Sequence, residues 1–78
     1  MDFAQKFRNL RENMEPPTNQ TELGEILNMN QMKISRMERG ETEPSLQDLV
    51  DICTLFHVSA DYLLGLIDEP LSYKRKGA

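Results

Sequence analysis

Apolar residues recur at helical spacing along most of the chain. Phe3, Phe7, Leu10 and Met14 step by four, three and four, which predicts a first helix burying that stripe, with Asp2 as its N-cap and Lys6 and Arg8 facing out. Pro16 and Pro17 end it, because the residue before a proline is pushed out of helical space. Asn19 caps a second helix whose Leu23, Ile26 and Leu27 face inward. Gly24 inside that helix weakens it by roughly 1 kcal/mol against alanine, so it reads as a point where a neighbouring helix comes close.

A three-residue turn follows, Asn28-Met29-Asn30. Asn28 tolerates left-handed dihedrals and can turn the chain sharply, Met29 plugs the core, and Asn30 caps a third helix with Ile34 and Met37 pointing inward. The outward stripe of this helix is Met32, Ser35, Arg36 and Arg39, with Gln31 and Lys33 beside it, and Gly40 stops it. Pro44 and Ser45 open a fourth helix, Ser45 pairing with Asp48 at capping-box spacing and Leu46, Leu49, Val50, Cys53 and Phe56 forming the buried face. A last short helix starts at Ser59 and ends before Gly65. The expectation is an all-α, compact five-helix bundle over residues 1–66, with 67–78 a flexible tail.

With 78 residues, 38% of them hydrophobic, the chain can form one small domain without staples. Cys53 is single, which rules out an internal disulfide, and its place on an apolar face points to packing rather than a reactive thiol. No apolar run approaches the ~20 residues that span a bilayer, so a membrane partner is not expected and the cytoplasm is the default location. The net charge of −4 argues against nucleic acid until it is resolved along the chain. Residues 1–40 carry six basic and six acidic side chains, residues 41–69 carry seven acidic and none basic, and Lys74, Arg75 and Lys76 lie in the tail. Such asymmetry can leave one neutral-to-basic face, which matters more for phosphate than the total does. His57 stands alone, without a cysteine or second histidine, so neither a metal site nor a cofactor is expected. No nucleophile, base and orienting acid form a recognisable set and no glycine-rich phosphate loop is present, so the chain does not read as an enzyme.

Several motifs fall in one register. Gln20, Leu23 and Leu27, then Ile34-Ser35 with Met37-Glu38-Arg39-Gly40, then Pro44-Ser45 with Leu49, and finally Val58-Ser59-Ala60-Asp61-Tyr62-Leu63-Leu64-Gly65 resemble the Cro and phage-repressor (Xre) family of helix-turn-helix DNA-binding domains. The resemblance runs from about Phe3 to Gly65 and implies a lambda-repressor-like fold in a bacterial or phage protein. It also implies that the third helix enters the major groove while the second crosses near the backbone. From the family, Gln20 is expected to grip the phosphate backbone with Asn19 beside it, and Arg39 with the loop from Gly40 to Thr42 to contact it on the far side. Arg11 and Glu38 match a structural ion pair. Glu41 and Glu43 depart from the family, which commonly has lysine or arginine in this loop.

Side-chain chemistry then suggests the readers. Arg36 can pair with guanine O6 and N7, Gln31 with adenine N6 and N7, Lys33 can reach guanine or a phosphate, and Met32 can cover a thymine methyl. Asn30 and Ser35 are further phosphate candidates. One short helix reads few base pairs, so a homodimer on two half-sites about 34 Å apart is expected, with Phe56, His57, Val58, Tyr62 and Leu66 as interface candidates. The expected function is operator binding by a transcriptional regulator, a repressor by preference. The alternative is an antitoxin-like or adaptor module that uses the acidic second half to engage a protein partner.

Overall fold

The computed structural model describes residues 3–68. Its helices are α1 (Phe3–Glu12), α2 (Gln20–Leu27), α3 (Gln31–Glu38), α4 (Leu46–Phe56) and α5 (Ala60–Leu63), and they are the regular elements among the described residues. The core joins Phe7 of α1, Leu23 and Leu27 of α2, Ile34 and Met37 of α3, Ile52 of α4, Val58 and Leu63. α3 packs on α2 and α1, and α5 packs on α1 and α4, so the reading helix is held from behind. The N-cap expected at Asp2 and residues 69–78 of the expected tail lie outside the described residues.

Local chemistry sets the helix ends. The Asn19 carboxamide accepts the Glu22 N–H at 2.8 Å while the Glu22 carboxylate accepts the Asn19 N–H at 2.9 Å, so two amide groups left without intrahelical partners are satisfied reciprocally. Ser45 and Asp48 repeat this device at α4, at 3.0 and 2.9 Å. Asn30 caps α3 by accepting the Lys33 N–H at 2.7 Å, and Ser59 caps α5 by accepting the Tyr62 N–H at 3.1 Å. Asn28 ends α2 at φ 59°, and Gly40 follows α3 at φ 75°, conformations that asparagine and glycine enter most easily. His57 takes the same left-handed turn after α4 at φ 56°.

Gly24 serves a closer purpose than helix packing. A Cβ there would lie 2.4 Å from the Met29 carbonyl oxygen, so the close approach is by the turn folding back on its own helix. The Met29 N–H in turn donates to the Gly24 carbonyl at 2.7 Å. This contact fixes the angle at which α3 leaves α2.

Several faces differ from the pattern reading. Lys6 is buried instead of facing out: its stem lies against the core, and its ammonium donates to the Tyr62 carbonyl at 2.6 Å, 4.6 Å from the Tyr62 ring centroid. A long aliphatic stem lets a cation reach the carbonyl end of α5 from a position next to Phe7. Ile26 is exposed, at the edge of a surface groove shared with Asp51, Thr54 and Leu55 of α4. Leu46 and Val50 are exposed as well, at 83% and 56%. The buried face of α4 is centred on Ile52, and Val50 lies about 160° around the helix from it. Leu49, Cys53 and Phe56 are half-buried against the core, and the polar Asp48 takes an inward position. Burial pushes the Cys53 thiol up, away from thiolate chemistry.

Candidate nucleic-acid interface

α3 presents Gln31, Met32, Lys33, Arg36 and Arg39 to solvent and turns Ile34 and Met37 into the core. Ser35, expected on the outward stripe, is buried beneath Arg39, whose guanidinium donates to the Ser35 hydroxyl. The long arginine, one turn further along, covers the short serine. Met32 is half exposed at the start of the helix, on the rim of a groove that it shares with Lys33, Arg36 and Pro44.

A relay of side chains runs from α1 to the tip of α3. Arg11 forms two parallel hydrogen bonds with Glu38, 2.6 Å from Nε to Oε2 and 3.0 Å from Nη2 to Oε1, and its third group donates to the Thr18 carbonyl at 3.1 Å. Glu38 is almost fully enclosed, with 3% of its side chain exposed against 14% for Arg11, and the paired hydrogen bond holds the arginine above its ordinary pKa. The Gln20 amide donates to Glu38 Oε1 at 3.0 Å, and Gln20 Oε1 accepts from Gln31 at 2.7 Å. The carboxylate can only accept, so it sets the orientation of both amides along the chain. Gln31 is left with its carbonyl oxygen and one N–H, the pair that bidentate adenine recognition needs.

The remaining candidates divide by partner. The Asn19 and Asn30 oxygens are occupied by capping, which leaves their exposed NH₂ groups at the amino ends of α2 and α3, where backbone amides also favour an anion. Lys33 donates to Asp48 Oδ1 of α4 at 3.0 Å. Arg39 grips Glu41, with Nε to Oε2 at 2.7 Å and Nη2 to Oε1 at 3.2 Å; this pairing raises the arginine pKa and lowers that of the glutamate. Thr42 is exposed in the loop that borders Met32, Lys33 and Arg36. The glutamate departure from the family pattern thus has a local answer at Glu41, which folds onto Arg39.

Asp48 is the functional neighbour that the sequence reading missed, having assigned it only a cap. Ser45 and Lys33 lie on different elements, and nothing in the spacing shows that α4 brings its first turn to α3. The interface candidates scatter. Val58 is buried in the core, Phe56 and Tyr62 are half-buried against it, and His57 and Leu66 are exposed.

Helices α2 and α3 with their three-residue turn, braced by the Arg11–Glu38 pair, define a helix-turn-helix unit. The model of the helix-turn-helix family matches residues 8–63, and the chain belongs to that family, in its Cro and repressor-type branch. Two solved structures are similar. The P22 c2 repressor in complex with a synthetic operator shares 30% identity at a TM-score of 0.74, covering 82% of this chain and 94% of that one. The solution structure of the P22 c2 repressor DNA-binding domain shares 28% identity at a TM-score of 0.72, covering 94% and 96%. No significant match to a curated protein was found.

Proposed function

We propose that this protein is a sequence-specific double-stranded DNA-binding regulator, a repressor by preference, that inserts α3 into the major groove of an operator. The observation that carries this reading is the Arg11–Glu38–Gln20–Gln31 relay, which fixes a base-reading amide at the tip of an exposed helix. The family match and the likeness to a repressor solved with its operator support it. Gln31, Met32 and Arg36 read bases; Asn19, Gln20, Asn30, Arg39 and Thr42 position the backbone. The role is binding, not catalysis, and belongs in the cytoplasm with the duplex. Two copies on half-sites about one helical turn apart multiply affinity, and Leu66 with Phe56, His57 and Tyr62 is the proposed contact between them.

Selection from a random duplex pool tests this directly. A near-palindromic sequence should be enriched, and its affinity should fall steeply with salt. Arg36→Ala should then relax preference at one base position by about 1–3 kcal/mol. A pool that shows no enrichment would instead favour the protein-binding alternative.

A further inference from the structure

Three cations line the reading helix, Lys33, Arg36 and Arg39, and two of them are already neutralised from within the chain. Lys33 is held by Asp48 at 3.0 Å. Asp48 cannot follow it outward, because the aspartate is buried and its second oxygen accepts the Ser45 N–H at 2.9 Å. Arg39 presents two N–H groups to Glu41, the same paired geometry that a guanidinium uses toward phosphate. Arg36 lies between them and donates no side-chain hydrogen bond among the described residues.

We propose that Asp48 and Glu41 are internal competitors of DNA phosphate: duplex binding exchanges the Lys33–Asp48 and Arg39–Glu41 pairs for backbone contacts, and these two carboxylates therefore set affinity and its salt dependence. The proposal rests on the DNA-binding reading and extends it to residues that touch no base. The Lys33 side chain is long and 45% exposed, and the Arg39–Glu41 pair is open to water on both sides, so each cation can swing away without unfolding the helix. Each exchange leaves a carboxylate behind, beside the arriving phosphate. That repulsion weakens binding, and the cation captured by the orphaned carboxylate offsets the counterion released from DNA. A duplex regulator with three cations on its reading helix therefore has a shallower salt response than their number suggests.

The test uses the full chain and a duplex taken from selection, with affinity measured across a salt series. Asp48→Asn keeps the shape of the cap and still accepts from Ser45, while Glu41→Gln removes the exposed competitor. Each should tighten low-salt binding about threefold to tenfold and steepen the log-log salt slope by about one. Adding Lys33→Met to Asp48→Asn should erase the gain. Unchanged or weaker binding by variants whose thermal unfolding remains cooperative would overturn the proposal. Should Asp48→Asn fail to fold, Glu41→Gln decides alone, since the Glu41 side chain is exposed and its carboxylate hydrogen-bonds to Arg39 at the surface. Failure of the unaltered chain to bind any selected duplex removes the DNA-binding reading and this inference together, whereas firm binding with an unchanged slope in Glu41→Gln removes the inference alone.

Discussion

Two arginine–glutamate pairs in this molecule have nearly the same geometry and opposite meanings. Arg11–Glu38 and Arg39–Glu41 both join Nε to Oε2, at 2.6 and 2.7 Å, and Nη2 to Oε1, at 3.0 and 3.2 Å. Their surroundings differ: the first pair has side-chain exposures of 14% and 3%, the second 50% and 53%. The first bridges α1 and α3, and its remaining polar capacity is taken up by the Thr18 carbonyl and the Gln20 amide. The second links neighbours two apart in sequence and faces solvent. Water weakens the exposed attraction and competes for both partners, while a buried charge that loses its partner has nowhere to turn. Bond length therefore says little about what an ion pair does, and enclosure says a great deal.

The largest effect that would break this contrast is at Glu38. Glu38→Ala leaves the Arg11 guanidinium enclosed without its carboxylate and strands the Gln20 amide, so unfolding in urea should show a loss of about 3–5 kcal/mol. A loss near zero would place the pair with its exposed counterpart. Gly24→Ala asks whether the reading end of α3 depends on charge alone. The added methyl meets the Met29 carbonyl oxygen at 2.4 Å, a backbone atom that cannot step aside, and should destabilise the domain by about 1–3 kcal/mol with no charge altered. If this variant remained fully stable and bound DNA normally, the tight turn would not set the position of α3.

Lys33–Asp48 lies between the extremes, with side-chain exposures of 45% and 9%, and sharpens the comparison through pH. Burial on its own would raise the Asp48 carboxyl, but the Ser45 backbone N–H, the Lys33 ammonium and the Ser45 hydroxyl together outweigh it and hold the group below its ordinary 3.8. A depressed carboxylate gives stability that is complete above 3.8 and is lost as pH falls below that value through the folded pKa. The acid limb of the stability curve should therefore flatten in Asp48→Asn, with the two curves furthest apart near neutrality and converging as pH falls and the aspartate of the unaltered chain takes up its proton. Parallel acid limbs in the two proteins would show that the pair contributes nothing on folding.

The sequence carried the ends of the helices better than their faces. Asn19, Asn28, Asn30, Gly40, Ser45 and Ser59 all act at the positions their chemistry suggested, because a cap or turn is decided by residues within a few places of it. Faces depend on what lies opposite. Ile26, Leu46 and Val50 carry the apolar signal but lie at the rims of surface grooves and stay exposed, whereas Lys6, Ser35 and Asp48 lack it and are buried, each paired with a group from elsewhere: the Tyr62 carbonyl, Arg39 and Lys33. The Arg11–Glu38 brace was available through family resemblance, and Gln20 came with it as a backbone contact. Its second role, joining Glu38 to Gln31, needs three elements to meet and has no local signature. The same holds for Asp48, whose cap is local and whose hold on Lys33 is not.

The smallest expected effect is at the exposed pair itself, and it is the one that separates stability from binding. Glu41 and Arg39 each hold the other's charge in place, lowering the glutamate pKa and raising that of the arginine, yet neither is shielded from water. Solvent replaces most of what either loses when the pair opens. Thermal unfolding of Glu41→Gln should therefore coincide with that of the unaltered chain at moderate salt, and the same should hold in Glu41→Ala, which removes the hydrogen bond as well. A clear drop in Tm would mean that Glu41 also braces the end of α3, where its own N–H donates to the Arg36 carbonyl at 2.9 Å. That backbone bond survives either substitution, so an unchanged Tm beside an altered affinity for DNA would assign the carboxylate to the binding equilibrium and leave the fold to the enclosed pair behind it.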